Sequence, residues 1–215
     1  MPLQERRVTD AAALKALAHP LRISLFEALV LRGPMTASQL GRFLDESPSN
    51  CSWHLRKLAQ HGFVREAPGG SGRNRPWQAV SEGLTWGEED DPAVNAAGDA
   101  LTDLMLEREL QRLRAARAAR AQEPKEWRDA TGLNQSALWM TAEEAADLLR
   151  RMRELFLTYV ERVSDPDARP PDARLVHLVG WAVPSGPSEP FEPAASPAPH
   201  ETGDDAAAPQ EEPQC

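Results

Sequence analysis

A mainly helical α+β chain with a small β component is what these 215 residues predict. Three observations carry the prediction. Two short apolar helices are joined by a three-residue connection, a basic turn-rich loop separates two strand-like runs, and long helical periodicities follow residue 98. The length allows one or two domains, and a content of 41% hydrophobic and 27% charged residues is enough for a packed core.

The first helix is expected over Asp10–Ala18, capped by Thr9, with Leu14 and Leu17 on one face. His19-Pro20 breaks it, and a second helix runs from Pro20 to about Leu31, proline being tolerated in a first turn. Gly33-Pro34 ends that helix. Thr36-Ala-Ser-Gln39 is a capping box that opens a third helix over 37–44. Ser47-Pro48 supplies an N-cap and a first-turn proline for a fourth helix to His61, closed by Gly62. The third and fourth helices have helix-turn-helix spacing.

Phe63–Ala67 and Trp77–Val80 are expected strands. The loop between them, Pro68–Arg75, holds Arg73 and Arg75 and no acid. Three helices, a strand, a basic loop and a strand make the order of a winged helix. On the fourth helix Cys51, Leu55 and Leu58 share one face and should be buried, Cys51 as a core thiol with redox sensing as the alternative. The opposite face carries Ser49, Ser52, Trp53 and Arg56, flanked by Asn50 and Lys57, and Ser47 to Arg65 contains no acid.

The net charge of −9 divides unevenly. Residues 1–86 carry 11 Lys and Arg against 7 Asp and Glu, whereas 87–183 carry 13 against 19. A basic first third in an acidic chain points to a polyanionic partner for that third alone. Residues 184–215 hold eight prolines and seven acids with no Lys or Arg, a composition expected to be disordered.

The motifs Leu17-Ala-His-Pro-Leu-Arg-Ile23 and Ser47-Pro-Ser-Asn-Cys-Ser-Trp-His-Leu-Arg-Lys-Leu-Ala-Gln-His-Gly-Phe-Val64 resemble the ArsR-type winged helix-turn-helix regulators of bacteria. Ser47, Ser52, His54, Leu55, Leu58, Gly62 and Val64 fall on that family's recognition segment, and the resemblance spans about residues 10–82. It implies a double-stranded DNA-binding transcriptional regulator working as a homodimer. Ser49, Asn50, Ser52 and Trp53 would then face bases. Thr36, Arg56, Lys57, Arg73 and Arg75 would meet phosphates or a narrow minor groove. Metal-sensing relatives place a Cys-x-Cys pair on the third helix or Asp/His pairs on a C-terminal helix. The third helix here has neither Cys nor His and the long helix after 98 has no His, so no metal and no cofactor is expected. His54 and His61, seven apart without a third partner, do not change that.

The remainder is read as a linker at 87–97 and a dimerisation or accessory domain at 98–183. A helix from Gly98 or Asp99 to about Ala121 carries an apolar stripe of Leu101, Leu104, Met105, Leu110 and Leu113. The stripe suits either a subunit interface or an intrachain core. With the family resemblance added, it is expected to form the dimer together with Leu14 and Leu17. Arg112–Arg120 reads as a solvated face rather than a second DNA contact. Ser136–Met140 is an expected strand, Thr141–Glu144 a second capping box opening a helix to about Val163, and Leu175–Val183 a strand packed on it. This strand–helix–strand unit resembles an accessory domain that follows the winged helix in some such regulators.

No phosphate-binding glycine loop with Lys-Ser/Thr, nucleophile elbow or metal-spaced cluster occurs, so an enzyme is not expected. No apolar run approaches a membrane span, the first residues lack the continuous apolar stretch of a secretory leader, and Cys51 and Cys215 do not make a disulfide framework. A cytoplasmic protein is expected. The rival readings are a winged helix that binds protein or RNA, and a small-molecule sensor with its effector pocket in 98–183.

Overall fold

The computed structural model describes residues 5–70, 74–81 and 83–185. The fold is α+β, mostly helical, with two small sheets. Two compact units divide the chain, 1–181 and 182–215.

The chain opens with β1 (Glu5–Arg7), α1 (Ala11–Leu17) and α2 (Pro20–Arg32). The N-cap of α1 is Asp10 rather than Thr9. Its carboxylate accepts from the N–H groups of Ala12 and Ala13, a stronger cap than a hydroxyl one residue earlier could give. His19 caps α2, its Nδ1 accepting the Leu21 N–H at 3.2 Å. Next come β2 (Met35–Thr36), α3 (Ala37–Leu44) and α4 (Pro48–Gln60), followed by β3 (Val64–Glu66), β4 (Pro76–Ala79) and β5 (Gly83–Thr85). The capping box on α3, the Ser47 cap on α4 and Gly62 beyond it (φ 70°) lie where the sequence places them.

Strands β2, β4 and β3 form an antiparallel sheet in that order, with Val64, Arg65 and Glu66 opposite Ala79, Gln78 and Trp77. Strands β1 and β5 pair in parallel, Arg6 opposite Leu84. Neither β1, β2 nor β5 is expected from the sequence.

The long helix α5 (Pro92–Ala119) begins six residues before Gly98, so 87–97 is not linker throughout. Asp91 caps it, accepting the Ala93 N–H at 2.8 Å, and Pro92 takes the first position. Val94, Ala97 and Leu101 enter the same core as Val8, Leu14, Leu17, Leu25, Leu55 and Phe63. Leu14, Leu17 and Leu101 are 1%, 4% and 0% exposed. They are therefore core of their own chain, not the dimer surface the stripe suggested. Full burial of such a side chain contributes about 1.5–3 kcal/mol, which ties the start of α5 to α1. Leu104 and Met105 pack partly against this core, while Leu106, Leu110 and Leu113 are exposed. An ionic cluster adds to the joint. Arg108 donates to Glu27 (2.8 Å) and to Ser24 (2.9 Å) of α2, and Arg112 donates to Glu27 (2.6 Å).

After α5 come a 3₁₀ turn, α6 (Lys125–Ala130), α7 (Ala142–Phe156), α8 (Glu161–Ser164) and a second 3₁₀ turn at 166–168. The Thr141–Glu144 box caps α7 as expected, but α7 ends at Phe156 and not near Val163. Residues 136–140 and 175–183 form no strand. A strand needs a ladder partner for its N–H and C=O groups, and these stretches have none among the described residues. Within the later one, Gly180 instead lies close against Met152 and Phe156 of α7. Leu148, Leu155, Tyr159, Leu175 and Trp181 remain exposed, so the expected strand–helix–strand core is absent. Residues 186–215, which contain most of the proline-rich tail, lie outside the described residues.

Candidate nucleic-acid interface

Helix α4 is held from beneath and presents one face outward. Cys51, His54, Leu55 and Leu58 are buried, with Cys51, Leu55 and Leu58 in the central core. Ser49, Trp53 and Arg56 are exposed, and Asn50, Ser52 and Lys57 are half-buried beside them. The expected outward and inward faces of α4 are thus the observed ones. Trp53 stands edge-on to the His54 ring at 4.7 Å, and the Lys57 ammonium lies 5.8 Å from the Trp53 ring centroid. This places an aromatic plate and a cation together on the outer surface.

The turn before α4 is closed tightly on α3. The Asp45 and Glu46 N–H groups both donate to the Gly41 carbonyl, the second at 2.8 Å, and Asp45 takes a left-handed conformation (φ 55°). A Cβ on Gly41 would stand 2.6 Å from the Glu46 carbonyl oxygen. Glycine at this place is what lets the two helices approach. Its signal in the sequence is a glycine inside a helix, where it has poor propensity. Arg6 is a second positioning residue missed from sequence. Its guanidinium donates to the His61 carbonyl at 2.8 Å and lies over the Phe63 ring, fixing the C-terminal end of α4.

Two of the expected contact residues are already engaged. Asn50 donates its amide to the Glu46 carboxylate at 3.0 Å, so it must release that partner to meet a base. The Thr36 hydroxyl donates to Gln39 Oε1 (3.0 Å) and accepts the Gln39 N–H (3.2 Å), which commits it to capping rather than to a phosphate. On the β3–β4 wing, Arg75 pairs with Glu66 at 2.8 Å, with both side chains about half exposed. Such a pair contributes little and opens readily in favour of a denser anion. Arg73 lies outside the described residues.

Under α4, the His54 ring packs against His19 with centroids 4.5 Å apart, and His54 Nδ1 has no hydrogen-bond partner among the described residues. Burial holds both imidazoles below their ordinary pKa, with Arg22 pressing the same way on each and Glu46 opposing at His54. Both are therefore neutral at pH 7, and His54 is a packing residue. Burial, helped by Glu46, pushes the Cys51 thiol up. It stays protonated, which removes the thiolate that redox sensing needs. Among the described residues no group of three or more His, Cys, Asp and Glu is placed to hold a metal ion, and no helix is long and apolar enough to cross a membrane.

Residues 17–67 match the family described as a helix-turn-helix domain. That span runs from the end of α1 through α4 and β3. Two solved structures are similar to this chain. One is RV1404 from Mycobacterium tuberculosis, 14% identical, over 69% of this chain and 82% of that one, at a TM-score of 0.27. The other is the transcriptional regulator Tm0710 from Thermotoga maritima, 10% identical, over 72% of this chain and 89% of that one, also at a TM-score of 0.27. No curated protein matches the chain.

Proposed function

We propose that this chain is a sequence-specific regulator of transcription, of the ArsR-like kind that does not sense metals, which binds double-stranded DNA as a cytoplasmic homodimer. The observation that carries this reading is the outward face of α4, where Ser49, Ser52, Trp53 and Arg56 stand on the second helix of a helix-turn-helix domain. No acid lies on α4 itself. In this reading α4 enters the major groove. Ser49, Ser52 and Asn50 offer short polar groups to base edges, and Trp53 offers an apolar edge to a thymine methyl. Arg56 and Lys57, further along, meet phosphates, and Arg75 leaves Glu66 to do the same from the wing, with Arg73 beside it in sequence.

A single winged helix covers few base pairs, so useful affinity calls for two half-sites related by the protein's own two-fold axis. With Leu14, Leu17 and Leu101 occupied in the core, the surface left for a second copy on α5 is Leu106, Leu110 and Leu113. Their spacing of four and three residues puts them on one side of the helix. The function is binding rather than catalysis. Selection of duplexes from a random pool tests it. An enriched inverted repeat supports the reading, and recovery of no sequence preference rejects it.

A further inference from the structure

We infer that the cavity between the β3–β4 wing and the segment around α8 binds a small anion, either an organic carboxylate or inorganic phosphate. The cavity has a volume of about 470 Å³, within the range of small-molecule sites. Three arginines line it, Arg32 at the end of α2, Arg65 on β3 and Arg169 beyond the second 3₁₀ turn, and none of the lining residues is acidic.

The three guanidinium groups are held without being neutralised. Arg169 donates to the carbonyls of Arg162 (2.6 Å), Val163 (2.8 Å) and Leu31 (3.4 Å). Arg65 donates to the Gln78 amide oxygen at 2.7 Å, with that amide turned so that its oxygen faces the guanidinium. Arg32 lies over the Phe43 ring at 4.1 Å. Among the described residues none of the three has a carboxylate partner. The wall also holds Ser81, 8% exposed, whose buried hydroxyl has no hydrogen-bond partner among the described residues. Leu29 and Val163 supply apolar wall.

Three cations without counter-charge and an apolar side form a site whose missing component is negative. Arginine's planar donor fork suits a carboxylate or phosphate, and its weak hydration lets it bind one in a half-enclosed space. The occupant would bridge the wing, the end of α2 and the α8 segment. Any effect of that bridge on DNA rests on the proposed function, but the binding itself does not.

The test uses the full chain without DNA, so its outcome is separate from that of the DNA reading. Titration calorimetry is run with benzoate, inorganic phosphate and, as a neutral analogue, benzyl alcohol. Saturable binding of benzoate or phosphate is expected, with no heat from benzyl alcohol. Benzoate as the tighter ligand assigns an organic carboxylate, and phosphate as the tighter one assigns the free ion. Arg32→Gln with Arg65→Gln should weaken binding about ten-fold or more, each exchange removing a charged hydrogen bond. Both side chains are exposed, so the variant should fold. The single exchanges should each show part of the loss, and Arg151→Gln, exposed on α7 and not part of the cavity wall, should show none. Benzyl alcohol binding as well as benzoate, full affinity in the double variant, or no binding of either anion would overturn the proposal.

Discussion

Replacing Gly41 by alanine sets two effects of opposite sign against each other at the turn that positions α4. Alanine favours a helix interior over glycine by about 1 kcal/mol. The added Cβ would, however, sit 2.6 Å from the Glu46 carbonyl oxygen, 3.3 Å from the Pro48 nitrogen and 3.6 Å from its Cα. The first distance is about 1 Å short of a normal contact. All three atoms are backbone, so no side chain can swing away. The turn also has little freedom to retreat, since Asp45 and Glu46 both donate to the Gly41 carbonyl. Overpacking of this kind costs about 1–3 kcal/mol. The expected net is a loss of up to about 2 kcal/mol, seen as a melting temperature lower by as much as several degrees. Urea unfolding of the variant, beside Ser38→Ala in the same helix as a control for propensity, measures it. A Gly41→Ala protein stabilised by the full propensity gain of about 1 kcal/mol would refute the close approach of α3 and the turn.

Neutralising Arg56 or Lys57 to Gln should lower the slope of log affinity against log salt by about 0.9 per phosphate contact, read from DNA-binding isotherms. Arg75→Gln should lower it less, because Glu66 competes for that cation, and Glu66→Gln should raise the affinity. An unchanged slope in all three cation variants would leave these groups as ordinary surface. A different readout follows from the buried imidazoles. His19 and His54 bind a proton less readily folded than unfolded, so unfolding takes up protons near and below the ordinary histidine pKa of about 6.5. Their contribution is intact above that pH and is lost as the pH falls through it. The melting temperature should therefore drop between pH 7.5 and 5.5, and His54→Gln should flatten the drop. Equal slopes in the two proteins would contradict this. Lastly, Leu106→Glu with Leu110→Glu should convert a dimer to a monomer in sedimentation equilibrium without loss of helix content. A wild type already monomeric at micromolar concentration would remove α5 as the interface.

How far these features could be read in the sequence depended on how local their causes are. Caps and breaks are local. Thr36 with Gln39, Ser47 with Pro48, Gly62 and Thr141 with Glu144 marked their helix ends correctly, each satisfying backbone groups within four residues. Asp91-Pro92 is the same signal as Ser47-Pro48, but two acids and a proline together read as a linker, and the first turns of α5 were missed. The α4 faces were legible because a 3.6-residue period separates Cys51, Leu55 and Leu58 from Ser49, Ser52 and Trp53. What a stripe packs against is not local. Leu14, Leu17 and Leu101 have the pattern of a covered face, and their period does not say whether one chain or two supply the cover. Strand β1 pairs with β5 across nearly eighty residues, and Glu5-Arg6-Arg7 carries no alternation to announce it. After residue 131 the reverse error occurs. Apolar runs at 136–140 and 175–183 looked like strands, yet β propensity cannot make a sheet without a partner edge.

The most direct test of DNA recognition by α4 is selection of bound duplexes from a random pool, carried out on the wild type and on Asn50→Ala and Trp53→Ala. The account predicts an enriched inverted repeat with half-site centres about 34–36 Å apart or a multiple of that. It also predicts that each variant changes the preference at one or two positions, by about 1–3 kcal/mol per lost base contact. No enrichment in the wild type, or an identical preference in all three proteins, would contradict it.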